Sequence, residues 1–539
     1  MKRLLAISAL TILSVPGFAF GKLPISIWTP PRPLNEEAVK TVAEGNFNLY
    51  FDYFDTTPEM QKDILNYAEK YGIEVKIYDN RLIEADWTKP DFKERLDGVL
   101  ADYKDYPATW GYHVTDEPAP WGFYNIVRKN EYLRERDPGR VVFTNLFPYG
   151  VTDMAAPYFD HGIHQRYIEE FLCLTRPDML SYDIYVLAKD IKNDNLNGFF
   201  NNIEIARDKA LKYNVPFNAC ILSVEHGGYR DPTPEDLRWQ IYNTLVYGGK
   251  GFIYFTYAHP DYDPMFVYGD ALLDKEGKTT HRYYAAQKLN GEVAEMGDLL
   301  MSLTSVGVFH TGKQVASMTK PVPVENFIRL EGGDFVLGQF VSKGGEMYAM
   351  VTNRLMRETQ TAYLTFAQNV KVSEVRPHGG HGVQTAPDKW QKTLEPGDGV
   401  LIKIETGDIK YAKWNYNVRH MPKVSICAPD EESVKAAEIA AAKLEGKIVV
   451  NIIGGDVKDP ARLARRLDSE AYIIFGDKDY YLLTGRHEGR RLASLIDPEA
   501  VEDYDAFAGF IGNVYCPAVI VSHRNSEMIA EGLAEYFNK

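Results

Sequence analysis

From Pro24 to about Leu303, short apolar runs alternate with amphipathic segments, the order expected of repeated strand and helix units around a parallel sheet. The runs fall at Ile25–Thr29, Asn48–Tyr53, Glu74–Asp79, Thr109–Thr115, Val141–Leu146, Met179–Tyr185, Phe217–Val224 and Phe252–Tyr257. Helix starts are expected at Thr57-Pro58, Lys89-Pro90 and Thr233-Pro234, where proline is pre-shaped for the first turn and its missing N–H is not needed. Gly72, Gly139 and Gly248 stand where a left-handed turn would release the chain toward the next strand. Eight such units in roughly 280 residues predict an α/β fold of the (β/α)8 TIM barrel type. An open doubly wound sheet is the competing topology.

After a helix expected over Ala285–Leu303 the pattern changes to apolar alternation broken by glycine turns, as in VENFIRLEGGDFVLGQFVSKGGEMYAMVTN, which predicts a β-sandwich. From Lys423 onward strands and helices alternate again and predict a small α/β domain. The expected organisation is a barrel over 22–304, a β-sandwich over 305–407 and an α/β domain over 408–539. Residues 1–21, a basic start followed by an apolar run and Ala19-Phe20-Gly21, read as a secretory signal, so the mature chain is expected to be secreted or periplasmic.

Charge narrows the partners. A net charge of −15 disfavours nucleic acid and anionic membrane, both of which need clustered Lys and Arg. No later stretch has the roughly 20 apolar residues of a membrane span. Cys173, Cys220, Cys427 and Cys516 lack zinc-like spacing and read as buried thiols. His161-x-x-His164 and His378-x-x-His381 are set among glycines, so no metal is expected. Gly454-Gly455 lacks the rest of a dinucleotide fingerprint, and no phosphate loop or Gly-x-Ser-x-Gly occurs, so no cofactor is expected.

In a barrel the reacting groups stand just past the C-terminal ends of the strands. The fourth strand reads TWGYHVTDEPAPWG and ends in Asp116-Glu117-Pro118, two adjacent carboxylates. Glycoside cleavage needs one carboxyl that stays protonated near neutral pH, and an ionised Asp116 with partial burial would raise the pKa of Glu117. The bland reading is a turn in which the acids cap the following helix. Asp183, in Ser181-Tyr182-Asp183-Ile184-Tyr185, is a further carboxylate at a strand end. Trp28, His113, Asn145, Tyr182, Tyr185, His226 and Tyr257 are candidate substrate-binding groups, with core packing as the alternative for each.

A fourth strand ending in acid or amide and then Glu-Pro resembles the large clan of barrel glycoside hydrolases that includes the family 42 β-galactosidases. The resemblance covers roughly Pro24 to Leu303. It implies Glu117 as acid/base and, from FNACILSVEHGGYR, Glu225 as nucleophile, with Asp183 as the alternative nucleophile. The clan usually places Asn where this chain has Asp116. An adjacent Asp-Glu pair resembles instead the hydrolases in which the substrate's 2-acetamido group is the nucleophile, Asp116 orienting the amide.

The expected function is therefore metal-independent hydrolysis of an oligosaccharide or polysaccharide. The alternatives are the substrate-assisted hexosaminidase type, a non-catalytic carbohydrate-binding barrel, and a surface assembly module. Family 42 enzymes use an α/β domain for oligomers, so the resemblance also implies a homo-oligomer.

Overall fold

The computed structural model describes residues 21–51, 56–149, 161–260, 266–324, 326–375, 381–384, 389–406, 423–445, 448–454, 471–475, 518–521 and 524–537. The expected signal, His378 and Cys516 lie outside them.

Eight parallel strands close into a barrel: β1 (Ile25–Trp28), β2 (Leu49–Phe51), β3 (Glu74–Ile77), β4 (Thr109–Asp116), β5 (Val141–Leu146), β6 (Leu180–Ile184), β7 (Phe217–Leu222) and β8 (Phe252–Phe255). Pairing of β1 with β8, Ile25 opposite Phe252 through Trp28 opposite Phe255, excludes the open doubly wound sheet. The helices are α1 (Glu36–Glu44), α2 (Pro58–Tyr71), α3 (Asn80–Ile83), α4 (Phe92–Tyr103), α5 (Phe123–Arg136), α6 (His161–Thr175), α7 (Leu196–Tyr213), α8 (Pro234–Val246) and α9 (His281–Ser302). Two of the three start signals act as their chemistry requires, whereas α4 begins at Phe92, two residues beyond Pro90, with Asp91 at its N-cap making no side-chain capping bond. Thr57 caps α2 by accepting from the Met60 N–H, and Thr233 with Asp236 forms a reciprocal capping box on α8. Gly72 ends α2 in the left-handed region at φ 68°.

Two apolar layers follow from the strand alternation. Trp28, Phe51, Tyr78, Phe143, Cys220 and Ile253 belong to one cluster inside the barrel, while Tyr112, Val114, Tyr182 and Ile184 face the helices.

Nine antiparallel strands follow: β9 (Thr304–His310), β10 (Ile328–Glu331), β11 (Phe335–Val341), β12 (Met347–Asn353), β13 (Gln360–Phe366), β14 (Val370–Val375), β15 (His381–Gln384), β16 (Lys389–Leu394) and β17 (Gly399–Thr406). They form a six-stranded sheet ordered β15-β14-β17-β12-β11-β9 and a three-stranded sheet ordered β10-β13-β16. One apolar cluster joins the two sheets, with Leu337, Val351 and Ile402 from the larger and Ile328, Leu364 and Trp390 from the smaller. Helix α8 packs on the larger sheet. Fully buried Trp239 donates its Nε1–H to the Arg354 carbonyl at 2.7 Å.

The C-terminal part contains a parallel four-stranded sheet, built from β18 (Lys423–Ala428), β19 (Val449–Gly454), β20 (Ala471–Phe475) and β21 (Ala518–Val521) in the order β19-β18-β20-β21. Helices α10 (Glu431–Lys443) and α11 (Ser526–Phe537) complete its described residues. No helix among the described residues is long and apolar enough to cross a membrane.

Candidate active site

The end of β4 is shaped by a break in pairing. Between His113 and Thr115 the register against β5 shifts, and Asp116 then comes opposite Asn145. Such a bulge re-aims the residues that follow it. Glu117 sits in the left-handed region at φ 42°, with its N–H donated to the Asn145 carbonyl at 2.9 Å. A non-glycine residue pays roughly 1–3 kcal/mol for a sparsely populated backbone region, so surrounding bonds must hold it there. The Tyr167 hydroxyl on α6 supplies one, donating to the Pro118 carbonyl at 2.9 Å.

Around Glu117 the strand ends converge through side-chain hydrogen bonds. Asn145 donates its Nδ2–H to Asp183 Oδ1 at 2.7 Å and approaches Asp116 Oδ1 at 3.3 Å, while its own Oδ1 accepts from the Ser181 hydroxyl at 2.9 Å. Asp183 is hydrogen-bonded in turn to Glu117, Tyr185 and Cys220. The Tyr185 hydroxyl lies 3.5 Å from Cys220 Sγ. Residues from β4, β5, β6 and β7 thus meet in one network.

Burial lifts the Glu117 carboxyl well above the ordinary glutamate range, and the negative charges of Asp183 and Asp116 lift it further. Burial also raises Asp183, but hydrogen bonds from Glu117, Asn145, Cys220 and Tyr185 favour its ionised form. Of the pair, Glu117 is the one that keeps the proton, donating it toward Asp183. Tyr229 senses the same two carboxylates, which add to the effect of burial in raising its hydroxyl.

Beneath this network lies a residue that the sequence reading missed. Lys76 on β3 is fully buried inside the barrel, its Nζ 3.8 Å from the ring centroids of both Phe51 and Phe143 and 5.2 Å from that of Trp28. Among the described residues its ammonium finds no hydrogen-bond acceptor, and burial brings its pKa down to about 7. The available signal was period two: in Glu74-Val75-Lys76-Ile77, a lysine occupies a position between two buried aliphatics. Cys220, read as a buried thiol, comes beside Asp183 through the register of β6 against β7, which places the two residues opposite each other and which the sequence does not give.

Not every expected residue joins the network. Asp116, Glu117, Asn145, Asp183 and Tyr185 do. Trp28 and His113 pack in the aromatic stack inside the barrel, with ring centroids 5.7 Å apart and His113 fully buried. Tyr182 and Tyr257 require correction as substrate contacts, because both are fully buried in the layer between strands and helices. Tyr182 alternates with inward-facing Ser181 and Asp183, so its side chain takes the opposite face, and Tyr257 packs edge-on to Phe47 and Tyr283.

Glu225 stands apart from the proton-sharing pair. The carboxylates that act on Glu117 are Asp183 and Asp116, whereas the Glu225 side chain is 41% exposed and 3.5 Å from Lys189 Nζ. His226 stacks on Tyr268 at 5.3 Å and meets Tyr185 edge-on at 5.9 Å. Among the described residues no group of three or more His, Cys, Asp or Glu side chains is arranged to hold a metal ion.

No protein-family model matches the chain, and no curated protein matches it in sequence. Solved structures similar to it include a β-galactosidase from the psychrophilic Marinomonas ef1, at 13% identity and a TM-score of 0.39, covering 52% of this chain and 62% of that one. A putative α-L-fucosidase from Bacteroides thetaiotaomicron gives 14% identity and 0.35, covering 48% and 94%. A β-L-arabinopyranosidase from Geobacillus stearothermophilus, solved with arabinose, gives 10% identity and 0.42, covering 72% and 98%. This chain therefore spans about 62% of the β-galactosidase, and likenesses this distant assign it no activity.

Proposed function

We propose that this chain is a glycoside hydrolase in which Glu117 is the general acid. One observation carries the reading: at the C-terminal mouth of the barrel Glu117 is set against Asp183 and Asp116, and burial with these two carboxylates raises its carboxyl well above the ordinary glutamate range. A proton held in this way is available to a leaving glycosidic oxygen, the demand that glycoside cleavage makes on its acid. Asp183 is the second carboxylate of the reaction, and Asn145 with Tyr185 fixes its direction. Asp116 adds negative charge that keeps Glu117 protonated. The barrel over 22–304 is the catalytic domain, and the sheets over 305–407 and 408–539 are accessory domains. Secretion to the periplasm or beyond, cleavage without a metal, and self-association through the C-terminal sheet belong to the same reading.

A second reading has one observation in its favour. Retaining enzymes hold their two carboxyls about 5–5.5 Å apart and inverting enzymes farther, whereas Glu117 and Asp183 touch through a hydrogen bond. A pair in contact leaves no room between its members for an anomeric carbon, which suits a substrate that supplies its own 2-acetamido nucleophile.

Turnover of Glu117→Gln, Asp183→Asn, Asp116→Asn and Glu225→Gln on a library of glycans with and without acetamido groups tests both readings. Glu117→Gln is expected to lose activity on every substrate. Restriction of cleavage to N-acetylated glycans would select the second reading, and equal activity of all four variants and the wild type would overturn both. Full activity after EDTA treatment is expected, and loss restored by a divalent ion would overturn the metal-free assignment.

A further inference from the structure

We propose that the cavity between the β7 and β8 loops is a sugar subsite holding one pyranose unit by its hydroxyls, with Glu225 as a hydroxyl acceptor and not a nucleophile. This rests on the glycosidase reading. The cavity measures about 490 Å³, within the range of small-molecule sites, and is lined by Glu225 and Asp231 after β7 and by His259, Tyr268, Asp270 and Arg282 after β8. Its floor is fixed by Arg282, a buried guanidinium that reaches Asp231 from one loop and the Asp270 and Ala271 carbonyls from the other. The two loops are therefore held at a set separation without a ligand. Pre-organisation of this kind reduces the ordering cost of binding.

The lining suits a polyol. Glu225, Asp231 and Asp270 offer acceptors, Lys275 and His281 offer donors, and Tyr268 contributes an aromatic surface for the apolar C–H groups of a sugar ring. Each sugar hydroxyl both donates and accepts, so a mixed lining satisfies it. Arg282 pairs with Asp231 and Lys189 with Glu225, which leaves Asp270 against Lys275, so the lining carries no excess charge and suits a neutral sugar.

Glu225 is seated for binding. Its carbonyl accepts from the Gly269 N–H at 2.9 Å, and a Cβ at Gly269 would stand 3.1 Å from Glu225 Cβ and 3.4 Å from Oε2. The glycine thus lets the carboxylate lie against the β8 loop, and Lys189 at 3.5 Å holds it on the other side. Tyr268 of the cavity lining stacks on His226, which meets Tyr185 edge-on, and Tyr185 is hydrogen-bonded to Asp183, so side-chain contacts link the cavity to the proton pair.

Calorimetry with cellotetraose, mannotetraose, galactotetraose, chitotetraose and tetragalacturonate tests this, with Glu117→Gln as the background so that bound sugar is not cleaved. Adding Glu225→Gln or Gly269→Ala is expected to weaken the best tetrasaccharide at least about tenfold. With Glu117 intact, Glu225→Gln should raise KM by a similar factor and leave kcat within about threefold. A collapse of kcat with unchanged affinity would make Glu225 the nucleophile and overturn the inference. Unchanged KM and affinity in both variants of an active enzyme would overturn the subsite alone. A wild type that cleaves nothing yet loses tetrasaccharide binding on Glu225→Gln would remove the glycosidase reading and keep the subsite, whereas failure to bind or cleave any probe would remove both. Unaltered thermal unfolding in the two variants is the control for folding.

Discussion

The carboxyls of Glu117 on the β4 end and Asp183 on β6 are hydrogen-bonded to each other, although one whole strand, β5, lies between theirs. In a (β/α)8 barrel, side chains from alternate strands point inward in the same layer, so residues two strands apart can meet across the interior. Asn145 on the intervening strand then completes the contact from the side.

The pair predicts a pH profile. Glu117 must be protonated to act, so activity should fall as pH rises through its pKa. Asp183→Asn removes a charge and a hydrogen bond that raise that pKa, and the alkaline limb of kcat/KM should move to lower pH. Glu117→Gln should lower kcat by about 10²–10⁴-fold, the usual worth of a general acid. An alkaline limb that stays in place in Asp183→Asn would separate the two carboxyls functionally.

The same carboxyl predicts a cost in stability. A glutamate whose folded pKa is raised leaves the folded chain holding a proton that the unfolded chain has lost. Its contribution is fully present below the unfolded pKa and declines as pH rises through the folded one. Glu117→Gln should therefore raise Tm relative to the wild type at pH 8, and the difference should vanish near pH 4. A Tm gain that is independent of pH would contradict this origin.

Lys76 predicts the opposite slope. Its pKa falls from 10.5 to about 7 on folding, so the unfolded chain holds the extra proton between those values. The penalty is full below pH 7 and fades toward pH 10.5. Lys76→Met should stabilise by about 1–4 kcal/mol at pH 6, the range for replacing buried charge by apolar volume, and by clearly less at pH 9. Denaturant midpoints at the two pH values measure it.

Trp239 and Gly397 predict that the barrel and the β-sandwich unfold together. Gly397 has φ 67°, and a Cβ there would stand 2.6–2.8 Å from the Trp239 backbone and Cβ. Gly397→Ala and Trp239→Ala should both destabilise, the latter by about 3–5 kcal/mol, and both should shift one shared calorimetric transition. A first transition confined to one unit in either variant would show that the contact does not couple them.

The repeat of strand and helix was legible in the sequence because it rests on local rules. Apolar runs of strand length, proline at the first helical turn and glycine at the last are set by backbone sterics within a few residues. Most expected strands extend one or two residues beyond the observed ends, as at Phe217–Val224 against β7, because pairing stops where the neighbouring strand stops. The position of Glu117 was legible for a similar reason, since an acid at the end of the fourth strand must face the mouth of a barrel. What the sequence could not decide was company. Period two tells that Tyr182 and Asp183 face opposite ways but not which faces inward, and it gives no measure of whether Glu225 or Asp183 reaches Glu117. Those outcomes depend on barrel closure, strand stagger and the bulge in β4, which bring together groups distant in sequence. Lys76 under its aromatic rings and Cys220 beside Asp183 were fixed by strand register and by the packing of the barrel interior, because burial is a property of the packed barrel and not of the residues that line it.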